Sequence, residues 1–141
     1  MSQPDAGPLV ACVNSSEDIV QLLADYLRLE GFRAVTHVTP VRWGAGPVIE
    51  FVSELRPDAC VFSVSLPYAE SWREFRTVSA AVPDVPLVLT TTNLRALESV
   101  VGPVEGIEIL GKPFDLDEVS RAVRRALGRR ASAAACVAPA P

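Results

Sequence analysis

Gly111-Lys112-Pro113-Phe114-Asp115 stands between a short apolar run, Ile107 to Leu110, and a stretch whose hydrophobic residues recur at helical spacing. Asp115 is a helix N-cap residue, Glu118 follows three positions on as in a capping box, and Leu116, Val119, Val123, Ala126 and Leu127 fall on one stripe with Gly128 near its end. Lys112-Pro113-Phe114 therefore marks a tight passage from strand to helix. One strand-turn-helix unit is complete here, and four more precede it.

The earlier strands are read at Leu9 to Val13, Arg33 to Val38, Ala59 to Ser63 and Leu87 to Thr91. The first, third and fourth are continuous apolar runs, as strands buried on both faces should be. Between the first two, Ile19, Leu22, Leu23, Tyr26 and Leu27 follow the i, i+3, i+4 rule, so a helix spans about Ser16 to Glu30, capped by Ser15 or Ser16 and ended at Gly31. Val48, Phe51, Val52 and Leu55 make a second helix that stops before Pro57. Trp72, Phe75 and Val78 make a third, stopped before Pro83, and Leu94, Leu97 and Val101 a fourth, before Gly102-Pro103. Strands alternating with helices predict an α/β fold: a flavodoxin-like, doubly wound sheet of five parallel strands in order 2-1-3-4-5, with helices on both faces.

With 141 residues, 49% of them apolar and 21% charged, the chain has the composition of one globular domain. We expect an N-terminal extension over 1–8, the domain over 9–128 and a disordered Ala/Pro-rich tail over 129–141. A net charge of −4 argues against nucleic acid as the main ligand, and after Leu127 too little sequence follows for a helix-turn-helix. No run is long and apolar enough to suggest a membrane span, and the first residues do not resemble a signal peptide, so a cytoplasmic protein is expected. Cys12 and Cys60 lie inside apolar strands and Cys136 in the tail, without metal or disulfide spacing. The only histidine, His37, has no Ser, Cys or Asp pattern that would make it catalytic.

In open parallel sheets, ligands bind beyond the carboxyl ends of the strands, at the point where strand order reverses. The residues there are Val13-Asn14-Ser15-Ser16, Ser63-Val64-Ser65, Thr90-Thr91-Thr92 and Gly111-Lys112-Pro113. In place and spacing these four sets resemble the response-regulator receiver domain family, from about Leu9 to Leu127. The resemblance implies an acidic pair after strand one and an aspartate after strand three that hold Mg²⁺, phosphorylation of that aspartate, and a Thr or Ser with a Lys that sense the added charge.

At those positions this chain carries Asn14, Ser15 and Ser63, all neutral. Thr91 fits the switch hydroxyl, although Thr90 and Thr92 blur the register, and Lys112 is kept. Ile109 replaces the aromatic that active members often carry three residues before the Lys. Asp58, at the start of strand three, is about five residues of extended chain from the site and cannot reach it. Glu17 and Asp18 read as first-turn acids favoured by the helix dipole. The resemblance also implies a cis bond before Pro113.

These residues predict a degenerate pseudo-receiver: a stand-alone, non-enzymatic signalling domain without metal or cofactor that works by protein-protein interaction. The family implies a kinase, an output protein or a scaffold as partner, or a homodimer through the fourth helix, fifth strand and fifth helix. Trp43, Tyr68 and Ile109 are the candidate partner contacts, with Arg42, Trp72 and Arg73 beside them. The alternative is a small-molecule sensor using the vacated acidic pocket near Lys112. Modification of Ser63 by a Ser/Thr kinase, and an unexpected acid acting as phosphoacceptor, are further readings.

Overall fold

In the computed structural model, residues 7–40, 44–64, 67–91, 93–102, 108–111 and 115–136 are described. Five strands alternate with five helices: β1 Leu9–Asn14, α1 Glu17–Leu29, β2 Arg33–Val38, α2 Ala45–Leu55, β3 Ala59–Val64, α3 Tyr68–Ala81, β4 Leu87–Thr91, α4 Leu94–Val101, β5 Glu108–Gly111 and α5 Leu116–Cys136. The strands form one parallel sheet in the order β2-β1-β3-β4-β5, the order expected from the sequence. Strand order reverses at β1, whose partners are β2 on one side and β3 on the other.

Because side chains alternate across a strand, the sheet divides the core in two. Val10, Cys12, Ala59, Val61 and Val88 face α1 and α5, where Val20, Leu23, Leu27, Val119 and Val123 cover them. Ala11, Val13, Cys60, Phe62, Leu87 and Leu89 face the other helices and meet Val48, Val52, Phe75, Val78 and Leu97. Phe62 and Phe75 meet edge to face at 5.5 Å, and Trp72 stacks on Phe75 at 5.3 Å. Such aromatic pairs add about 0.5–1.5 kcal/mol to the gain from burial.

Helix ends follow local chemistry. The Ser16 hydroxyl accepts the Ile19 N–H at 3.3 Å and caps α1, and Asn93 caps α4 by accepting the Ala96 N–H at 3.0 Å. After α1, Gly31 takes φ +94, a conformation that costs residues with a Cβ. Glu118 reaches back to the Asp115 N–H at 3.4 Å, which is one half of a capping box. Helix α2 starts earlier than the apolar spacing suggests, at Ala45. Its N-cap is Gly44, which has no side chain, and a carboxylate from another helix serves instead: Glu74 of α3 accepts the Ala45 N–H at 2.8 Å.

The last helix requires a correction. It does not end near Gly128 but continues to Cys136, into the segment read from sequence as a disordered tail. An interior glycine costs only about 1 kcal/mol relative to alanine, and the alanines after it are the strongest helix formers. At its other end α5 is tied to α1. Buried Ser120 donates to Glu30 Oε1 at 3.1 Å, Arg124 bonds Ser120 and the Glu30 carbonyl, and its guanidinium lies 5.3 Å from the centre of the Phe32 ring.

Candidate functional site at the carboxyl edge of the sheet

At the end of β1, the Asn14 side-chain oxygen accepts the Ser16 N–H at 3.0 Å, and the Asn14 carbonyl accepts the Thr39 N–H at 3.0 Å. This Asx turn swings the chain from strand into helix, the local role for which Asn and Asp are favoured. Asn14 is therefore occupied in shaping the turn. Ser15 is exposed at its outer side.

On β3, half-buried Ser63 lies beside Thr90 of β4, and Val64 lies beside Thr91. Alternation puts Ser63 on the sheet side of Ala59 and Val61, the same side as Asn14, while Thr91 falls on the side of Leu87 and Leu89. The two threonines differ in their bonds. The Thr90 hydroxyl donates to the Phe62 carbonyl at 3.4 Å, whereas the buried Thr91 hydroxyl has no hydrogen-bond partner among the described residues. The ambiguity left by three consecutive threonines is thus a real chemical difference between neighbours.

Lys112, Pro113, Phe114, Trp43 and Thr92 lie outside the described residues, and with them the expectation of a cis bond. Ile109 is half-buried against the core between the sheet and helices α2, α3 and α4. Tyr68 is only 7% exposed and belongs to that same core, so its ring is not offered to a partner as the sequence reading expected. It opens α3 directly after Pro67, and the first turn of that helix points it inward. On the surface nearby, Val100 of α4 is 53% exposed and Arg73 of α3 is exposed.

The acids are placed elsewhere. Asp58 accepts the Leu9 N–H at 2.8 Å while its own N–H donates to the Leu9 carbonyl at 2.7 Å, which fixes it at the amino edge of the sheet, away from Ser63. Glu17 and Asp18 are exposed in the first turn of α1. Among the described residues no three His, Cys, Asp or Glu side chains converge as metal ligands would. Mg²⁺, which the family resemblance implies, takes carboxylate and phosphate oxygens. Asn14, whose oxygen is already bonded to a backbone N–H, and the hydroxyls of Ser15 and Ser63 do not fit it.

Away from the edge, chemistry is suppressed by burial. The Cys12 thiol is pushed up to about 12 by desolvation, against a smaller opposing effect of Arg28, and Cys60 is raised further by desolvation with Cys12 adding to it. The two face opposite sides of the sheet. His37 stacks on Phe51 at 4.6 Å. A cavity of about 340 Å³ opens between Arg56, Pro57, Val82 and Asp84, at the amino edge and therefore opposite the candidate site. Sequence reading found the strand-end residues but missed the helix-capping role of Glu74, because a cap contributed from another helix leaves no local signature.

No family model matches the chain. Over 128 residues, 90% of its length, it is 30% identical to the transcriptional regulatory protein PrrA of Mycobacterium tuberculosis, and it spans 53% of that protein. A response regulator receiver domain protein from Clostridium thermocellum superposes with a TM-score of 0.71 at 16% identity, covering 88% of this chain and 97% of that one. A CheY-like receiver domain protein from Methanospirillum hungatei gives 0.70 at 15% identity, covering 90% and 98%. Sheet order, helix placement and these likenesses agree: the chain has the CheY-like fold of response-regulator receiver domains, and it spans about half the length of the curated relatives it matches.

Proposed function

We propose that this domain is an atypical receiver that is not phosphorylated on aspartate and signals by binding another protein: a kinase, an output protein or a scaffold. The observation that carries the reading is the neutrality of the carboxyl edge, where Asn14, Ser15 and Ser63 stand at the positions of the family's three acids. Phosphoryl transfer needs a positioned oxygen nucleophile and a cation to neutralise developing charge. Two hydroxyls and a committed carboxamide supply no carboxylate to form an acyl phosphate or to hold the cation. Asp58, just before β3, is engaged at the far edge.

Without a covalent signal, the switch positions are set by packing and by whatever docks over them. Exposed Val100 on α4 and half-buried Ile109 on β5 mark the face where a partner would bind, and Trp43 is a separate candidate contact drawn from the sequence. We place the domain in the cytoplasm, in keeping with the absence, among the described residues, of a helix long and apolar enough to cross a membrane.

The decisive experiment is incubation with acetyl phosphate and Mg²⁺, followed by intact mass and by beryllofluoride titration monitored through tryptophan fluorescence. The expected result is no added phosphoryl mass and a flat titration. A phosphorylated species on a carboxylate, or a saturable fluorescence change, would overturn the reading.

A further inference from the structure

Where α2 and α3 end, the amino edge of the sheet carries the cavity of about 340 Å³, at the lower end of the range of small-molecule sites. Its apolar wall includes Val52, Pro57, Val82 and Val85. Two exposed side chains of opposite charge, Arg56 and Asp84, also line it. Among the described residues neither makes an ion pair, although both belong to one cavity. Arg56 is also the one described non-glycine residue with a left-handed backbone, φ 52 and ψ 57, at the C-cap of α2. Glycine ends a helix this way without strain, whereas a Cβ is crowded there. The local fold thus gives no reason for an arginine, and the cavity beside it does. Asp84 is held by the turn after α3, in which the Val85 N–H donates to the Val82 carbonyl at 3.1 Å and Pro83 takes the second position.

We propose that this cavity binds a free apolar α-amino acid, its carboxylate on the Arg56 guanidinium, its ammonium on the Asp84 carboxylate and its side chain over Val52, Val82 and Val85. Charge selects the class of ligand. A simple anion is repelled by Asp84 and a simple cation by Arg56, whereas a molecule that carries both charges on one carbon pairs with each. The guanidinium suits the carboxylate in particular, because it donates two parallel N–H bonds to it. The valines and Pro57 then select an apolar side chain, and the modest volume a single amino acid rather than a peptide.

Occupancy ties the end of α2 to the turn after α3, at the edge opposite Asn14 and Ser63. The inference stands on the amino edge alone and does not depend on whether the carboxyl edge is phosphorylated.

Isothermal titration calorimetry and thermal melting of the full chain with L-leucine, L-isoleucine and L-phenylalanine test it. The comparison ligands are the amide of each, which lacks the carboxylate, and the corresponding deamino acid, which lacks the ammonium. The expected result is saturable binding of at least one of the three amino acids, with a dissociation constant about tenfold or more higher for its amide and its deamino acid. Arg56→Gly and Asp84→Asn should each raise the dissociation constant about tenfold or more. Because Arg56→Gly relieves a left-handed residue, its melting temperature without ligand should equal or exceed that of the wild type, which separates lost binding from lost folding. Neither saturable heat nor a thermal shift with any of the three amino acids at millimolar concentration overturns the proposal. So does binding that both variants leave unchanged, and so does an amide that binds as tightly as its parent amino acid.

Discussion

The two edges of one sheet use the same kinds of side chain to opposite ends. At the amino edge, Asp58 is a carboxylate fully employed in structure, joining the start of β3 to the start of β1 through paired bonds with Leu9. At the carboxyl edge, where the fold gathers ligands, the strands end in Asn14, Ser63 and a pair of threonines, one of them with a buried hydroxyl unmatched among the described residues. The comparison teaches that a carboxylate holds the fold at one edge, whereas the described strand ends at the other carry none. Each edge can be altered separately.

The largest change should come from giving the carboxyl edge its acids. On the proposed reading the wild-type chain stays unlabelled, whereas Asn14→Asp, Ser15→Asp and Ser63→Asp together are expected to be labelled by acetyl phosphate with Mg²⁺, read by intact mass. Asp at position 14 can still accept the Ser16 N–H, so the turn survives. If the triple variant remains unlabelled, the two edges differ in more than charge.

Alkaline pH tests the middle of the sheet. Burial raises both thiols above the ordinary value of 9.0, Cys12 to about 12, so between those values the unfolded chain has lost protons that the folded chain keeps, and stability falls as pH rises. Each thiol should remove about 1.4 kcal/mol per pH unit in that window. Urea unfolding followed by tryptophan fluorescence, wild type against Cys12→Ala, isolates the contribution of one of them. An identical slope in the two proteins would mean that the thiol is not shielded.

Asp58→Ala should cost about 1–2 kcal/mol in the same assay, since the part-buried Leu9 N–H loses a charge-assisted partner. Its effect on partner binding should be nil, because the amino edge is remote from the switch face. The smallest effects come from the neighbouring threonines, and they should differ in sign. Thr90→Val loses the bond to the Phe62 carbonyl and should destabilise by about 0.5–1 kcal/mol, whereas Thr91→Val removes a hydroxyl unmatched among the described residues and should be neutral or stabilise by up to ~1 kcal/mol. Equal losses at the two positions would show that Thr91 is bonded in solution.

Much of this contrast was legible in the sequence. Continuous apolar runs announced strands buried on both faces, and helical spacing with Ser16 and Gly31 as punctuation placed the first four helices within a few residues. The same spacing that put Asp58 at the start of its strand put it out of reach of Ser63. What escaped the sequence was decided across space. Tyr68 looked like a surface aromatic next to a proline, but the direction of the first turn of α3 buried it. Glu74 looked like an ordinary charged helix residue until α2 was found to start under it. Gly128 looked like a stop because glycine so often ends helices, yet nothing after it opposed the helical preference of the alanines.

The tie between Glu30 and Ser120 joins residues 90 apart in sequence. During translation at 5–20 residues per second, roughly 5–20 s pass between the emergence of one and the other. Until α5 emerges this face of the sheet is covered by α1 alone, and Val61 and then Val88, once made, remain partly open to chaperones or to neighbouring nascent chains. The final helix is thus the step that commits a newly made polypeptide to its fold.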